Sequence, residues 1–193
     1  MTVRTVIAIL LFALPAAAAD SLDEWRAFSR TDASAKLMRW MRTSMSDILE
    51  GKPAASCPVG TPAFYGRNGV FVTLVRAGKT RGCFGAFHHS SDDAGTVLAE
   101  YLRSALRNDP RYVPLEPYEA ADTSIIITIA DQPAAVDDIF SVDLSRFGVL
   151  VTTEAEEKFA FVPCEVKTAD YLRRLLKGRR ITETAAFSAV SIR

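Results

Sequence analysis

Arg81-Gly82-Cys83-Phe84-Gly85 places a thiol two residues from a guanidinium, between two glycines. The segment follows an apolar run, Val70 to Val75, and a tight Ala77-Gly78-Lys79 connection, so a strand, a glycine turn and a returning strand are expected. Alternate strand residues share a face, which predicts that Arg81 and Cys83 point the same way. Glycines on either side leave the backbone bare and open to close approach. A unit charge about 6–7 Å away contributes about 0.6 kcal/mol in water and about 2.5 kcal/mol at an effective dielectric near 20. Only the upper end makes the thiol substantially thiolate, hence nucleophilic. Burial among apolar groups works in the opposite direction. The competing reading is an inert, buried cysteine in a hairpin whose glycines serve packing.

A nucleophilic cysteine needs a base. The two histidines, His88 and His89, lie five and six residues further along. Extended chain of that length spans about 16–20 Å, against the roughly 3 Å that a nucleophile–base hydrogen bond requires. They read instead as solvated residues at the strand end, and as neighbours on a strand they face opposite sides. The carboxylates outside obvious surface turns are Asp109, Glu116, Glu119 and Glu165. Asp109-Pro110-Arg111 follows a helix, where proline forces the chain out, so an Arg–Asp pair in a helix-ending turn is expected. Cys57, Cys83 and Cys164 have no CxxC spacing and form no zinc pattern with the histidines. Three cysteines allow one disulfide at most, and the sequence does not choose the pair. No phosphate-binding loop, dinucleotide fingerprint or nucleophile elbow is present, so no cofactor is expected.

The elements that must position these residues follow from periodicity. Residues 1–19 carry Arg4, an apolar stretch from Val6 to Leu14, then Pro15 and Ala17-Ala18-Ala19. This is the pattern of a secretory signal, too short to span a bilayer. An exported chain beginning near Asp20 is expected, periplasmic or secreted from a bacterium, with no membrane attachment after cleavage. About 170 residues remain, enough for one domain with a proper core. The chain carries 23 basic and 23 acidic residues, so the basic footprint of a nucleic-acid binder is missing.

Leu37, Met41, Met45 and Ile48 trace a helix with Asp32 as cap and Gly51 as stop, followed by a Pro/Gly/Ser-rich loop over residues 52–68. Val97 to Leu106 predict a second helix capped by Ser91, Asp92 or Asp93. Ser124 to Ala130 read as a buried strand, and Phe147–Thr152 with Lys158–Val162 as a hairpin around an acidic turn. Tyr171 to Lys177 form a last helix, stopped by Gly178. The basic run Arg173 to Arg180 reads as compensation for that helix's C-terminal dipole, with a site for an anionic partner as the alternative. Helices and strands are interspersed without regular alternation, which predicts a single mixed α+β domain over residues 20–193 with a mainly antiparallel sheet.

Gly69-Val70-Phe71-Val72-Thr73-Leu74, Arg81-Gly82-Cys83-Phe84-Gly85 and Asp109-Pro110-Arg111-Tyr112-Val113-Pro114-Leu115 stand in the order and spacing of three motifs of the AMMECR-type domain family. The chain resembles that family, called AmmeMemoRadiSam system protein A in bacteria and archaea, over roughly residues 33–178. The resemblance implies a compact α+β domain with a curved, mostly antiparallel sheet and packed helices, whose presumed site contains Arg81, Gly82, Cys83 and Gly85, with Asp109 and Arg111 as neighbours; among the carboxylates read from the sequence itself, Asp109 or Glu119 would assist the thiol. It also implies association with a Memo-like protein and a radical SAM enzyme. Thr80 and Phe84 replace the family's usual Leu and Ile, and an exported copy would be separated from a cytoplasmic radical SAM partner. Two functions follow. One is a binding module that grips a protein segment or small anion through the Arg-Gly-Cys-Phe-Gly patch; the other is a thiol-dependent enzyme with Cys83 as nucleophile or redox centre.

Overall fold

A computed structural model describes residues 22–193; the signal-like segment 1–19 lies outside them. The helix expected around Leu37 runs from Asp32 to Leu49 (α2), preceded by a short α1 at Asp23–Phe28. Thr31 rather than Asp32 is its cap, accepting a hydrogen bond from the Ser34 amide. Both residue types suit that role; the threonine holds the extended backbone that a cap needs. Strands β1 (Gly69–Arg76) and β2 (Lys79–Ala86) make the expected hairpin. Its turn places Ala77 and Gly78 at positive φ. Helix α3 covers Ala94–Arg107, with Asp93 capping the Thr96 amide.

After a two-turn 3-10 helix at Pro117–Asp122 come β3 (Thr123–Ala130), the two-residue β4 (Ala134–Ala135), β5 (Phe147–Thr153) and β6 (Lys158–Phe161). Helix α4 (Ala169–Leu175) precedes a positive-φ Gly178, and β7 (Ile181–Ile192) closes the chain. The sheet order is β2-β1-β3-β7-β5-β6, all antiparallel, with β4 paired to β7 on the side. The fold is therefore a single α+β domain built on a curled antiparallel sheet.

The twelve-residue β7 holds that sheet together. Its last four residues pair with β3, and Ile181 to Ser188 pair with β5. The main core lies between α1–α3 and one face of β1–β3, using Val70, Val72, Leu74, Ile125, Ile127 and Ile129. Phe71, with the opposite parity, packs on the other face with Ala130, Val162 and Phe187. Phe71 and Phe187 stack with centroids 6.1 Å apart. A third cluster places α4 on the β5–β6 half through Leu172 and Leu176. Curling brings the two terminal strands, β2 and β6, to the rims of one cavity of about 820 Å³.

Candidate functional site

The motif strand does not keep a simple alternation. Leu74 lies opposite Gly82 and Val75 opposite Thr80, so Arg81 is the extra residue of a β-bulge. Arg81 therefore joins Arg76 on the helix side instead of standing beside Cys83. Its Nε and Nη2 donate to Glu119 at 3.0 and 2.8 Å, and Nη1 donates to the Val113 carbonyl at 2.7 Å. Arg76 Nη1 donates to the same carboxylate at 3.1 Å. The Arg81 hydrogen bond outweighs burial and holds the Glu119 carboxyl below its usual range. Glu119 also accepts the Glu116 amide, completing a capping box on the 3-10 helix. The expectation that Arg81 activates or accompanies the thiol is thus corrected: Arg81 and Glu119 clamp the chain segment that follows α3.

Cys83 is 9% exposed. Its Sγ lies 3.4 Å from the Thr73 hydroxyl across the hairpin. Burial pushes the thiol well above its ordinary pKa and the Glu165 carboxyl adds to this, opposed only partly by Thr73 and Arg111. A neutral, buried thiol at physiological pH is a poor nucleophile. Cys164 stands on the other side of Thr73, with its Sγ 3.7 Å from the same hydroxyl and 3.8 Å from that of Thr128. All three cysteines are free.

The motif glycines answer to packing. A β-carbon on Gly82 would lie 2.2 Å from the Ala105 carbonyl oxygen of α3, and one on Gly85 would lie 2.3 Å from the Val70 oxygen. Neither can be replaced without moving backbone, so Gly82 and Gly85 bring helix and strand close instead of baring a ligand platform. The histidines also depart from expectation. His88 is exposed, but His89 is half-buried, with Nδ1 2.9 Å from Tyr101 Oη and Nε2 2.8 Å from the Asn68 carbonyl oxygen.

Behind Cys83, a chain of buried charge crosses from one end of the sheet to the other. The Cys83 amide donates to Asp109 Oδ2 at 2.8 Å. Arg111 Nε and Nη2 fork onto Asp109 Oδ1 and Oδ2 at 2.9 Å each, and Nη1 reaches Glu165 Oε1. The carboxylate side chains are 3% and 2% exposed, and the guanidinium is 36% exposed. Burial works to raise the Asp109 pKa, but the hydrogen bonds from Arg111 and the Cys83 amide hold it below the carboxylate range. Glu165 goes the other way: burial raises it despite Arg111. Its Oε2 makes no hydrogen bond among the described residues. Asp109 and Arg111 form the helix-ending pair the sequence suggests, and that pair also ties the β2 edge to the segment after β6.

The cavity in front of this chain is lined by Cys83, Asp109 and Arg111, by Phe71, Phe87 and Phe161, and by Lys158, Arg179 and His88. Asp109 is the only acidic lining residue, and Arg111 neutralises it. The walls are thus aromatic and the rim cationic. No three His, Cys, Asp or Glu side chains among the described residues come together as a metal-binding set. No helix among them is long and apolar enough to cross a membrane.

The sequence pattern of the AMMECR1 family matches residues 38–188, which span the hairpin, the Asp109–Arg111 turn, Glu165 and most of β7. The chain belongs to the AMMECR1 family. It is 33% identical over 89 residues to a protein of Thermotoga maritima, covering 46% of this chain and 51% of that one. It is 34% identical over 108 residues to a protein of Methanosarcina mazei, covering 54% and 53%. The chain thus spans about half the length of these relatives. An uncharacterised protein of Pyrococcus horikoshii shares the fold, with a TM-score of 0.59 and 17% identity over 83% of this chain and 90% of that one.

In this AMMECR1-family member the structure brings together Cys83, Asp109 and Arg111 and sets Arg81 and Glu119 apart as a separate clamp. Sequence reasoning names Glu165 only as one of four carboxylates and misses Lys158 and Arg179 as cavity residues. Nothing local marks these three. Lys158 reads as a turn-flanking charge and Arg179 as a helix-end cation until the curl of the sheet places them opposite Cys83.

Proposed function

We propose that the chain is an exported binding module, not a catalyst, and that its ligand is an anion with an apolar body held in the cavity between β2 and β6. The observation that carries this is the cavity's lining: phenylalanines along the wall, Lys158, Arg179 and His88 at the rim, and no free acidic group. Export is supported by the signal-like pattern of residues 1–19. The thiol-enzyme reading loses its support because burial keeps Cys83 protonated and Arg81 is committed to Glu119.

Titration with 8-anilinonaphthalene-1-sulfonate, an anion on an apolar body, tests the site. The folded protein binds it, Cys83→Ser retains affinity within about twofold, and Lys158→Ala with Arg179→Ala lowers affinity at least tenfold. Binding that survives the double substitution unchanged would remove the cationic rim from the reading. Loss of binding in a folded Cys83→Ser protein would return the thiol to the centre of the site.

A further inference from the structure

The cavity meets the terminal strands along their edges. A strand presents only every second residue to a cavity on its face. Here consecutive residues line the wall: Cys83 to Ala86 of β2 and Lys158 to Phe161 of β6. The ladder shows which backbone groups on β6 are unpaired. The Thr153 amide donates to the Glu157 carbonyl at 3.0 Å, so residues 153 and 157 form a hydrogen-bonded pair. In an antiparallel ladder such pairs alternate with non-bonded ones. The next bonded pairs are Val151 with Phe159 and Val149 with Phe161. Lys158 and Ala160 therefore turn their N–H and C=O groups away from β5, into the cavity.

The β2 edge differs. Its Cys83 amide, pointing the same way, is already taken by Asp109. The β2 edge is thus capped at Cys83, where β6 keeps the outward groups of Lys158 and Ala160 open. Direct closure of β2 on β6 is taken over by the Asp109–Arg111–Glu165 bridge, which spans the gap with side chains instead of backbone.

Cations flank the open edge on both of its faces. Lys158 shares parity with Ala160, which packs on the Phe71 and Val162 cluster. Arg179 sits over Phe159, 4.0 Å from the ring centroid, on the other face, where its Nη1 also pairs with Glu157 Oε2 at 3.4 Å. An extended segment paired to β6 meets Lys158 beside the Phe71 cluster on one face and Arg179 over Phe159 on the other. A second copy of this chain suits the edge poorly, because a lysine on an edge strand discourages pairing between identical edges.

Resting on the anion-cavity reading above, we infer that the occupant is an extended acidic peptide segment that adds to β6 as a new strand, through the outward backbone groups of Lys158 and Ala160.

The test uses the end-blocked peptide acetyl-Val-Asp-Val-Asp-Val-Asp-amide and two N-methylated versions, one on every valine and one on every aspartate. Methylation removes backbone donors and keeps charge and side chains. The parent peptide binds and slows amide hydrogen exchange at Lys158 and Ala160, and at least one methylated version binds at least tenfold more weakly. Ala160→Pro removes only an outward N–H, so the protein stays folded and its affinity for the parent falls at least tenfold. Lys158→Glu weakens binding comparably and leaves the edge geometry intact. If both methylated peptides bind like the parent, or exchange at Lys158 and Ala160 is unchanged, strand addition is overturned. If the anilinonaphthalene sulfonate binds but the peptide does not, strand addition falls while the cavity reading stands. Failure of both ligands overturns both.

Discussion

Replacing Arg111 with leucine separates the energetics of the buried bridge from those of the cavity. The substitution leaves Asp109 and Glu165, 3% and 2% exposed, without their shared cation. Removing one partner of a buried ion pair costs about 3–5 kcal/mol, because the remaining charge is left uncompensated. The guanidinium is about a third exposed and therefore partly screened by water, so the lower end, about 3 kcal/mol, is expected. For a domain of this size each kcal/mol shifts the melting temperature by about 2–4 °C, giving a fall of roughly 6–12 °C.

The loss also depends on pH. In the native protein the Asp109 pKa is depressed, so its stabilising contribution is present above the unfolded carboxylate value near 3.9 and is lost as pH falls through the lower folded value. In Arg111→Leu burial is opposed only by the backbone amides of Cys83 and residue 111, so Asp109 takes up a proton at higher pH than it does in the native protein. The stability gap between the two proteins is therefore widest near pH 7 and narrows by pH 4. Urea unfolding followed by the fluorescence of buried Trp25 and Trp40 measures both. Asp109→Asn in the Arg111→Leu background recovers part of the loss, since it removes the stranded charge. A penalty under about 1 kcal/mol at pH 7, or a gap of equal size at both pH values, would refute the account of the bridge as a buried charge chain.

Three other substitutions test the remaining links. The folded pKa of Cys83 lies above the unfolded value near 8.5, so its contribution is intact below that value and is lost as pH rises toward the folded one. The slope is about 1.4 kcal/mol per pH unit; Cys83→Ala should flatten the fall of stability above pH 8.5, and native Cys83 should resist iodoacetamide until the protein unfolds. Gly82→Ala forces a β-carbon to 2.2 Å from the Ala105 carbonyl, and overpacking of this kind costs about 1–3 kcal/mol or more, readable as a lower urea midpoint with an unchanged slope. Arg81→Ala leaves the buried Glu119 with Arg76 alone; thermal melting should fall while anilinonaphthalene sulfonate affinity stays within about twofold.

The parts of this protein legible in sequence are those in which one segment contains its own signal. α2 and α3 show their apolar stripes and the first hairpin its glycine turn. The Asp109–Arg111 pair follows from a proline after a helix. The central strand β7 carries no such local signal: in Ile-Thr-Glu-Thr-Ala-Ala-Phe-Ser-Ala-Val-Ser-Ile the strand formers are interrupted by three alanines and two serines, which break the apolar alternation. A single large ring on it, Phe187, packs against both Phe71 and Phe87. Strand identity there is imposed by neighbours on both sides, not by the residues themselves.

The same limit explains the motif. Alternation places Arg81 with Cys83, but one extra residue in the ladder reverses that parity, and bulges leave no fixed mark in a single sequence. The consequence reaches function. With the guanidinium turned toward Glu119, the charge facing the thiol comes from Arg111 and Glu165, of opposite sign, and burial decides the outcome. The motif glycines and cysteine then belong to the wall that holds the cavity's shape. In the binding reading proposed above, recognition passes to Lys158 and the open edge of β6, 75 residues beyond Cys83, and to Arg179, 96 residues beyond it, joined to the motif only by the curl of the sheet.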